Sequence, residues 1–283
     1  MTVDGSGERV DLAELAARLD EAAGAAIAIP QLAAVAGIDV DAAYAVQAAL
    51  LDRRLARGER LVGLKMGLTS RAKMAQVGVE EVIWGRLTDA MWVPDGGTVD
   101  PGLHIHPRVE PEVAFLLDRL PAPREPVGDF TDAVRAVAPA LELIDSRYTN
   151  FTFSLPDVVA DNASAARFAI GAWQPVPAGL ENLGVLLEVD GRVVQTGSTA
   201  AILGDPRRAL DEGVRLAGRH GVRMRAGWVF LAGAATAAVP LRPGAHIRAV
   251  VERLGAVSLR AEVRGLPGNP DRGGVAGSAE GRS

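Results

Sequence analysis

Glu110 and Glu112 stand one residue apart in the run His106-Pro107-Arg108-Val109-Glu110-Pro111-Glu112, which leads into the apolar stretch Val113-Ala114-Phe115-Leu116-Leu117. Side chains alternate faces along a strand, so both carboxylates point one way while Val109 and Val113 point the other. Two like charges side by side repel, and one keeps its proton unless a cation sits between them. The run Leu141-Glu142-Leu143-Ile144-Asp145 puts a further carboxylate among apolar neighbours, where a lone charge is costly to bury. Three carboxylates suit an oxygen-liganded Mg²⁺ or Mn²⁺ with positions left open for substrate. The same spacing also describes an ordinary strand with solvated glutamates, so both readings stand at this point.

The basic residues add an independent hint. Of 30, only Lys65 and Lys73 are lysines; the others are arginine. An ammonium can lose its proton in a desolvated site and a guanidinium cannot, so a lysine kept against that bias points to chemistry. Lys65 is the only charge in Leu61-Val62-Gly63-Leu64-Lys65-Met66-Gly67-Leu68, which makes it either buried with a partner or at a strand end facing a cleft. Lys73 reads as the solvated face of a short helix. The four histidines, at 104, 106, 220 and 246, form no H-x-x-x-H or H-E-x-x-H pattern, and His104 and His106 read as flanking a strand. No G-x-S-x-G, phosphate-binding loop or dinucleotide fingerprint is present. Asp161-Asn162-Ala163-Ser164 reads as a helix N-terminus, able to hold an anion or to act as a plain cap.

The elements that must position these groups follow a two-part pattern. Residues 10–60 are helical: Asp11 caps a run with Leu12, Leu15, Ala16 and Leu19, and Asp41 opens a second with Ala43, Val46, Leu50 and Leu51. Beyond Gly58, strand-like runs appear at 61–68, 108–117, 138–145, 183–198, 228–232 and 246–263, with Asp190-Gly191 as a hairpin turn. Helices are expected at 70–77, 129–137, 162–168 and 206–219, the last stopped by His220-Gly221. The class is α+β, with a β-rich catalytic body over 61–264. Residues 1–9 read as a flexible N-terminus and 265–283 as a disordered tail with little to bury.

Composition narrows the function. With 283 residues, 48% of them hydrophobic, the chain can bury a large core. A net charge of −5 without long basic runs argues against nucleic acid or an anionic membrane as partner. Cysteine is absent, which excludes disulfides, thiol nucleophiles and zinc-thiolate sites. With no signal-peptide pattern and no apolar run of about 20 residues, a cytoplasmic location is the expectation.

From about residue 10 to 263 the chain resembles the hydratase/decarboxylase branch of the fumarylacetoacetate hydrolase superfamily. Five ordered blocks carry the resemblance: Gly63-Leu64-Lys65-Met66-Gly67-Leu68-Thr69-Ser70 with Ala72-Lys73-Met74-Ala75-Gln76; the 106–112 run; Pro139-Ala140-Leu141-Glu142 with Ile144-Asp145-Ser146-Arg147-Tyr148; Val159-Ala160-Asp161-Asn162-Ala163-Ser164; and Thr236-Ala237-Ala238-Val239-Pro240. The resemblance implies a mixed β-roll or barrel-like fold. It implies Mg²⁺ or Mn²⁺ on Glu110, Glu112 and Glu142, an active-site lysine at Lys65, and a substrate pocket lined by Asp161, Asn162 and Ser164, with Thr236 in the fifth block. Leu87 or Met66 is expected near the departing group.

The activity implied is decarboxylation of 2-oxo-3-hexenedioate in meta-cleavage degradation of aromatic compounds. Hydration of 2-oxopent-4-enoate, acylpyruvate hydrolysis and non-catalytic oxo-acid binding are the alternatives. Hydratases of the branch resemble one another in an Asp-Phe-Gly where this chain has Ile83-Trp84-Gly85, and the segment 148–155 also looks like the decarboxylases. A homo-oligomer, associated with a hydratase that consumes the unstable dienol product, is the expected assembly. One departure is Leu231-Ala232-Gly233-Ala234-Ala235, where relatives carry a threonine at the position of Ala232.

Overall fold

The structure is a computed structural model and describes residues 11–70, 81–118 and 133–263. Helix α1 (Leu12–Ala25) starts where the Asp11 side chain accepts hydrogen bonds from the Ala13 and Glu14 amides. A short α2 (Ala33–Ala36) precedes α3 (Val40–Ala56), whose cap is Asp39, not Asp41; Asp39 accepts from the Ala42 amide and Asp41 falls in the first turn.

The strands follow as β1 (Leu61–Gly67), β2 (Ile83–Thr88), β3 (Trp92–Val93), β4 (Thr98–Val99), β5 (Arg108–Leu117) and β6 (Val134–Ile144). After α4 (Leu155–Ala160) come β7 (Ala165–Ile170), β8 (Gly184–Val189) and β9 (Arg192–Ser198). Helix α5 (Pro206–Arg219) is followed by β10 (Val229–Ala234), β11 (Val239–Pro240), β12 (His246–Val251) and β13 (Gly255–Ala261). The main sheet has eight strands in the order β2-β1-β10-β5-β6-β7-β3, with β11 also on β5; the second has five, β4-β13-β12-β8-β9. The fold is α+β, with the main sheet curled into a half-barrel and the helices against its outer face.

Three apolar clusters give each sheet face its role. Val109, Leu141 and Leu143 pack against Leu187, Ile247 and Leu259 between the two sheets. Leu15, Leu19 and Tyr44 of the helices share a core with Leu64, Trp84, Phe115 and Phe230 on the outer face of the main sheet. Leu87, Ala114, Ala138, Ala140, Phe168 and Leu231 line its inner, concave face.

Two expected helices, 129–137 and 162–168, give way to strands over their later residues, and 129–132 lie outside the described residues. Residues 134–137 open β6, whose Val134 pairs Leu117, and 165–168 belong to β7, paired antiparallel with β6. Both stretches are short and alanine-rich with a single arginine each, so hydrophobic spacing could not separate the two states, and pairing within the sheet decided. The span 246–263 is a hairpin rather than one strand. The helix expected at 70–77, with Lys73, lies almost wholly outside the described residues, as do the N-terminus at 1–9 and the tail at 265–283.

Candidate metal centre and its lysine

Glu110 and Glu142 are direct cross-strand partners on β5 and β6, and Glu112 follows on the same face of β5. One carboxylate oxygen from each lies within 4.8 Å of the others. Exposures of 6, 1 and 1% for Glu110, Glu112 and Glu142 settle the alternative left open by the spacing: these are not solvated strand glutamates. β1 lies three strands from β6, about 14 Å across a flat sheet. Curling closes that gap, and Lys65 Nζ comes 3.0 Å from Glu142 Oε1.

Backbone groups hold this cluster from two sides. The Gly233 amide donates to Glu112 Oε2 at 2.8 Å. Gly233 sits at a break in the β10–β5 register with φ +110°, and a Cβ there would come within 2.1 Å of the Thr69 hydroxyl, so only glycine presents that amide. Lys65 Nζ donates to the Ala163 carbonyl at 3.0 Å. That carbonyl belongs to a turn in which Asn162, Ala163 and Ser164 all have positive φ, between 50 and 58°. Left-handed backbone costs an L-residue about 1–2 kcal/mol, so the surroundings must impose it.

Those surroundings are specific. The Asn162 side chain accepts from the Arg86 amide at 2.8 Å and donates to the Arg86 carbonyl at 2.9 Å, as a neighbouring strand would, along the otherwise open edge of β2. Asp161 is fully buried and ion-paired with Arg147, which also donates to the Asp161 carbonyl. Burial pushes the Asp161 carboxyl up to about 7 against the pull of Arg147. The polar atoms of Asp161 and Asn162 therefore shape the turn. Ser164 Oγ is buried with no hydrogen-bond partner.

Charge is out of balance at the centre. Burial, then the neighbouring Glu142, hold Glu112 well above the ordinary carboxylate range. Burial likewise raises Glu142 against the pull of Lys65. Burial pulls the Lys65 ammonium toward neutrality, but Glu142, Glu112 and Glu110 outweigh it and hold Lys65 above the usual lysine value. Glu112 Oε1 and Glu142 Oε2 are buried without a hydrogen-bond partner, and the Lys65 approach to Glu142 Oε1 is an ion pair rather than a well-angled hydrogen bond. Three converging carboxylates with orphaned oxygens and too little positive charge are a donor set for a hard divalent cation.

The other expected residues are placed as follows. Leu87 is paired with Gly63 and Ile83 with Gly67, so both share the face of Lys65, and Leu87 is 1% exposed in the inner cluster. Met66 and Trp84 belong to the outer face, Trp84 stacked on Tyr44 of α3 at 5.1 Å. Ala232 also packs in the outer core, so a threonine hydroxyl there would not point at the carboxylates. The Thr236 hydroxyl donates to the Ala237 carbonyl, and its methyl packs over Gly197 of β9. Asp145 accepts from the Ile105 and His106 amides and fixes the entry to β5. Glu81 lines a cavity of about 460 Å³ on the helical side of β2, with Asp41, Tyr44 and His220, and Glu80 lies outside the described residues. Sequence reasoning missed the Gly233 amide and the Ala163 carbonyl because backbone contacts leave no side-chain signature.

A curled sheet carrying a buried acidic triad and a facing lysine defines a class. Residues 61–263 match the fumarylacetoacetate (FAA) hydrolase C-terminal family, and the chain belongs to that family. It is 52% identical over 248 residues to a 4-oxalocrotonate decarboxylase of Pseudomonas sp., covering 87% of this chain and 96% of the relative. It is 36% identical to a 2-keto-4-pentenoate hydratase of Paraburkholderia xenovorans (strain LB400), covering 82% and 87%. The solved structure of 4-oxalocrotonate decarboxylase from Pseudomonas putida G7, complexed with magnesium and adipate, superposes with a TM-score of 0.85 at 39% identity, covering 90% of this chain and all of the other.

Proposed function

We propose that this chain decarboxylates 2-oxo-3-hexenedioate to 2-hydroxypenta-2,4-dienoate and CO₂, with Mg²⁺ or Mn²⁺ held by Glu110, Glu112 and Glu142. The observation that carries the reading is the triad with its orphaned oxygens facing Lys65, on a concave face otherwise lined by apolar side chains. Similarity to the Pseudomonas decarboxylase, at 52% against 36% for the hydratase, supports the choice within the family.

In the reaction the C5–C6 bond breaks and CO₂ leaves from C6. The electron pair moves through C4 and C3 onto the 2-oxo oxygen, giving a dienolate whose protonation on oxygen yields the dienol. A bound divalent ion supplies Lewis-acid charge where the 1-carboxylate and 2-oxo groups sit. Lys65, held protonated by its three carboxylate neighbours, adds a fixed positive charge for the developing enolate oxygen. The Ala163 carbonyl fixes the direction of that ammonium. Ile83 and Leu87, on the lysine's face, withhold water from the departing carboxylate, which favours loss of CO₂. Hydration needs a group that moves protons to carbon. Ile83 offers none, and Glu81 is exposed beside a cavity lined by Asp41, Tyr44 and His220.

In this reading the β-rich body, 61–264, carries the chemistry. Asp161, Asn162 and Ser164 form the pocket wall, with Ser164 Oγ the one polar side-chain atom of the three left to meet substrate, and Thr236 contributes to substrate binding. The substrate is a small 2-oxo dicarboxylic acid, and the chain acts as a cytoplasmic homo-oligomer beside a hydratase that consumes the dienol. No helix among the described residues is long and apolar enough to cross a membrane. An ultraviolet assay with 2-oxo-3-hexenedioate and 2-hydroxypenta-2,4-dienoate, run side by side with CO₂ detection, tests the reading. CO₂ release from the diacid with little hydration of the dienol is expected. Efficient hydration without CO₂ release overturns it in favour of the hydratase.

A further inference from the structure

Gln47 is fully buried on α3, in the helical section that precedes the family-matched residues. Its amide nitrogen donates to two carbonyls, Trp84 of β2 and Val159 of α4, each at 3.0 Å. Its amide oxygen accepts from Arg86 at 3.1 Å. Arg86 is 7% exposed and lies over the Trp84 ring, 4.9 Å from its centre. Gln47 thus uses both amide protons and its oxygen to tie together three elements, and nothing in its own surroundings needs an amide except those partners.

All three partners lead to the lysine. The β2 edge at Arg86 is the backbone that Asn162 clips, and Gly85, between Trp84 and Arg86, is the register partner of Lys65. A Cβ at Gly85 would lie 2.6 Å from the Asn162 carbonyl, so β2 and the turn touch with no space between them. Val159 lies in the last turn of α4, three residues before Asn162, the first of the left-handed residues that present the Ala163 carbonyl to Lys65.

We infer that Gln47 is a positioning residue for Lys65: by cross-linking the open edge of β2 to the end of α4, it sets the distance across which Asn162 clips the turn and so fixes the carbonyl that orients the ammonium. The helical section then belongs to the working part of the enzyme. The effect on turnover rests on the function proposed above; the effect on the lysine's surroundings does not.

The chain's two lysines make the test direct. In protein labelled with [ζ-¹⁵N]lysine, Gln47→Met, which keeps the side chain's length and removes all three hydrogen bonds, is expected to move the Lys65 resonance. With substrate, kcat should fall about 10- to 100-fold, as for a small misplacement of a catalytic group, with KM changing far less. Asp20→Asn, which cuts the surface ion pairs tying α1 to Arg53 of α3 and to Arg57 at its C-cap, serves as the control that loosens the helices without touching β2. It should lower Tm and leave the Lys65 resonance and kcat unchanged. If Gln47→Met folds with an unmoved Lys65 resonance, or if Asp20→Asn moves it equally, the inference is wrong. If the wild-type protein releases no CO₂, the proposed function fails while the resonance test still decides the role of Gln47.

Discussion

Binding of a divalent metal should expel about one proton, and the structure says where it comes from. Three carboxylates whose nearest oxygens lie within 4.8 Å repel by about 3.5 kcal/mol or more per ionised pair at an effective dielectric constant of about 20. Full ionisation therefore sets roughly 10 kcal/mol of mutual repulsion against one ammonium, whose contact with Glu142 at 3.0 Å returns about 5.5 kcal/mol on the same scale. Burial adds to the cost, and the raised Glu112 and Glu142 carboxyls are its expression. One proton shared within the triad is the cheapest remedy, and a dication must displace it.

Calorimetric titration of Mg²⁺ in buffers of different ionisation enthalpy counts the released protons. The expected count at neutral pH is about one, with metal affinity rising about tenfold per pH unit until the raised carboxyls ionise unaided. Glu112→Gln removes the proton's main seat, so its count should fall toward zero even as metal binding weakens. Stability of the metal-free protein must move the other way. Because the folded state holds a proton the unfolded chain has lost, stability falls as pH rises from the ordinary 4.5 of Glu112 through its raised folded value. Saturating Mg²⁺ should abolish that slope in urea melts. Flat metal affinity between pH 5.5 and 8, or an unchanged proton count in Glu112→Gln, would refute the electrostatic account.

Two further outcomes follow from the site and the proposed product. Lys65→Met should lower kcat by about 10²-fold or more while the protein still folds, in line with loss of one preorganised charge-stabilising donor; a borohydride-trapped substrate adduct on Lys65 would instead make it a covalent catalyst. The unstable dienol predicts association with the hydratase that consumes it, and the two purified proteins should co-sediment at about 10 μM, where contacts of micromolar strength register; independent migration would count against a complex.

The triad was legible in the sequence because strand alternation places residues two apart on one face, and β5 obeys it without a bulge between Val109 and Leu116. Lys65 was legible because it breaks an apolar run. The α5 boundaries, Pro206–Arg219, agree with the expected span because a proline opens the helix and glycine follows its cap. The turn at 162–164 was not legible: Asp-Asn-Ala-Ser has the composition of a cap, and its left-handed shape is imposed by Arg147 and by the edge of β2, both distant in sequence. Gln47 does carry a signal in the sequence. It sits in the stripe formed by Ala43, Val46, Leu50 and Leu51, a polar residue at a core position where polarity must be satisfied.

The edge position of β2 explains why the site is built from such parts. A sheet edge normally ends in solvent or is covered, since its free amides and carbonyls invite pairing. Here a further strand could have closed it, satisfying Arg86 through ordinary ladder bonds. Such a strand would have occupied the space of the Asn162 turn, and Lys65 would have lost the one carbonyl that restrains it opposite Glu142. The chain instead satisfies the edge with side chains, the amides of Asn162 and Gln47 and the hydroxyl of Tyr44. Side-chain partners leave the backbone of the turn free to curve inward, and the left-handed residues do so at a cost of roughly 1–2 kcal/mol each. That cost and the repulsion within the triad fall at the same place, where one ammonium and three carboxylates are held apart from solvent and short of neutrality. Three left-handed residues in a row thus meet the unbalanced charges at the point that a bound cation and an oxo-acid would complete.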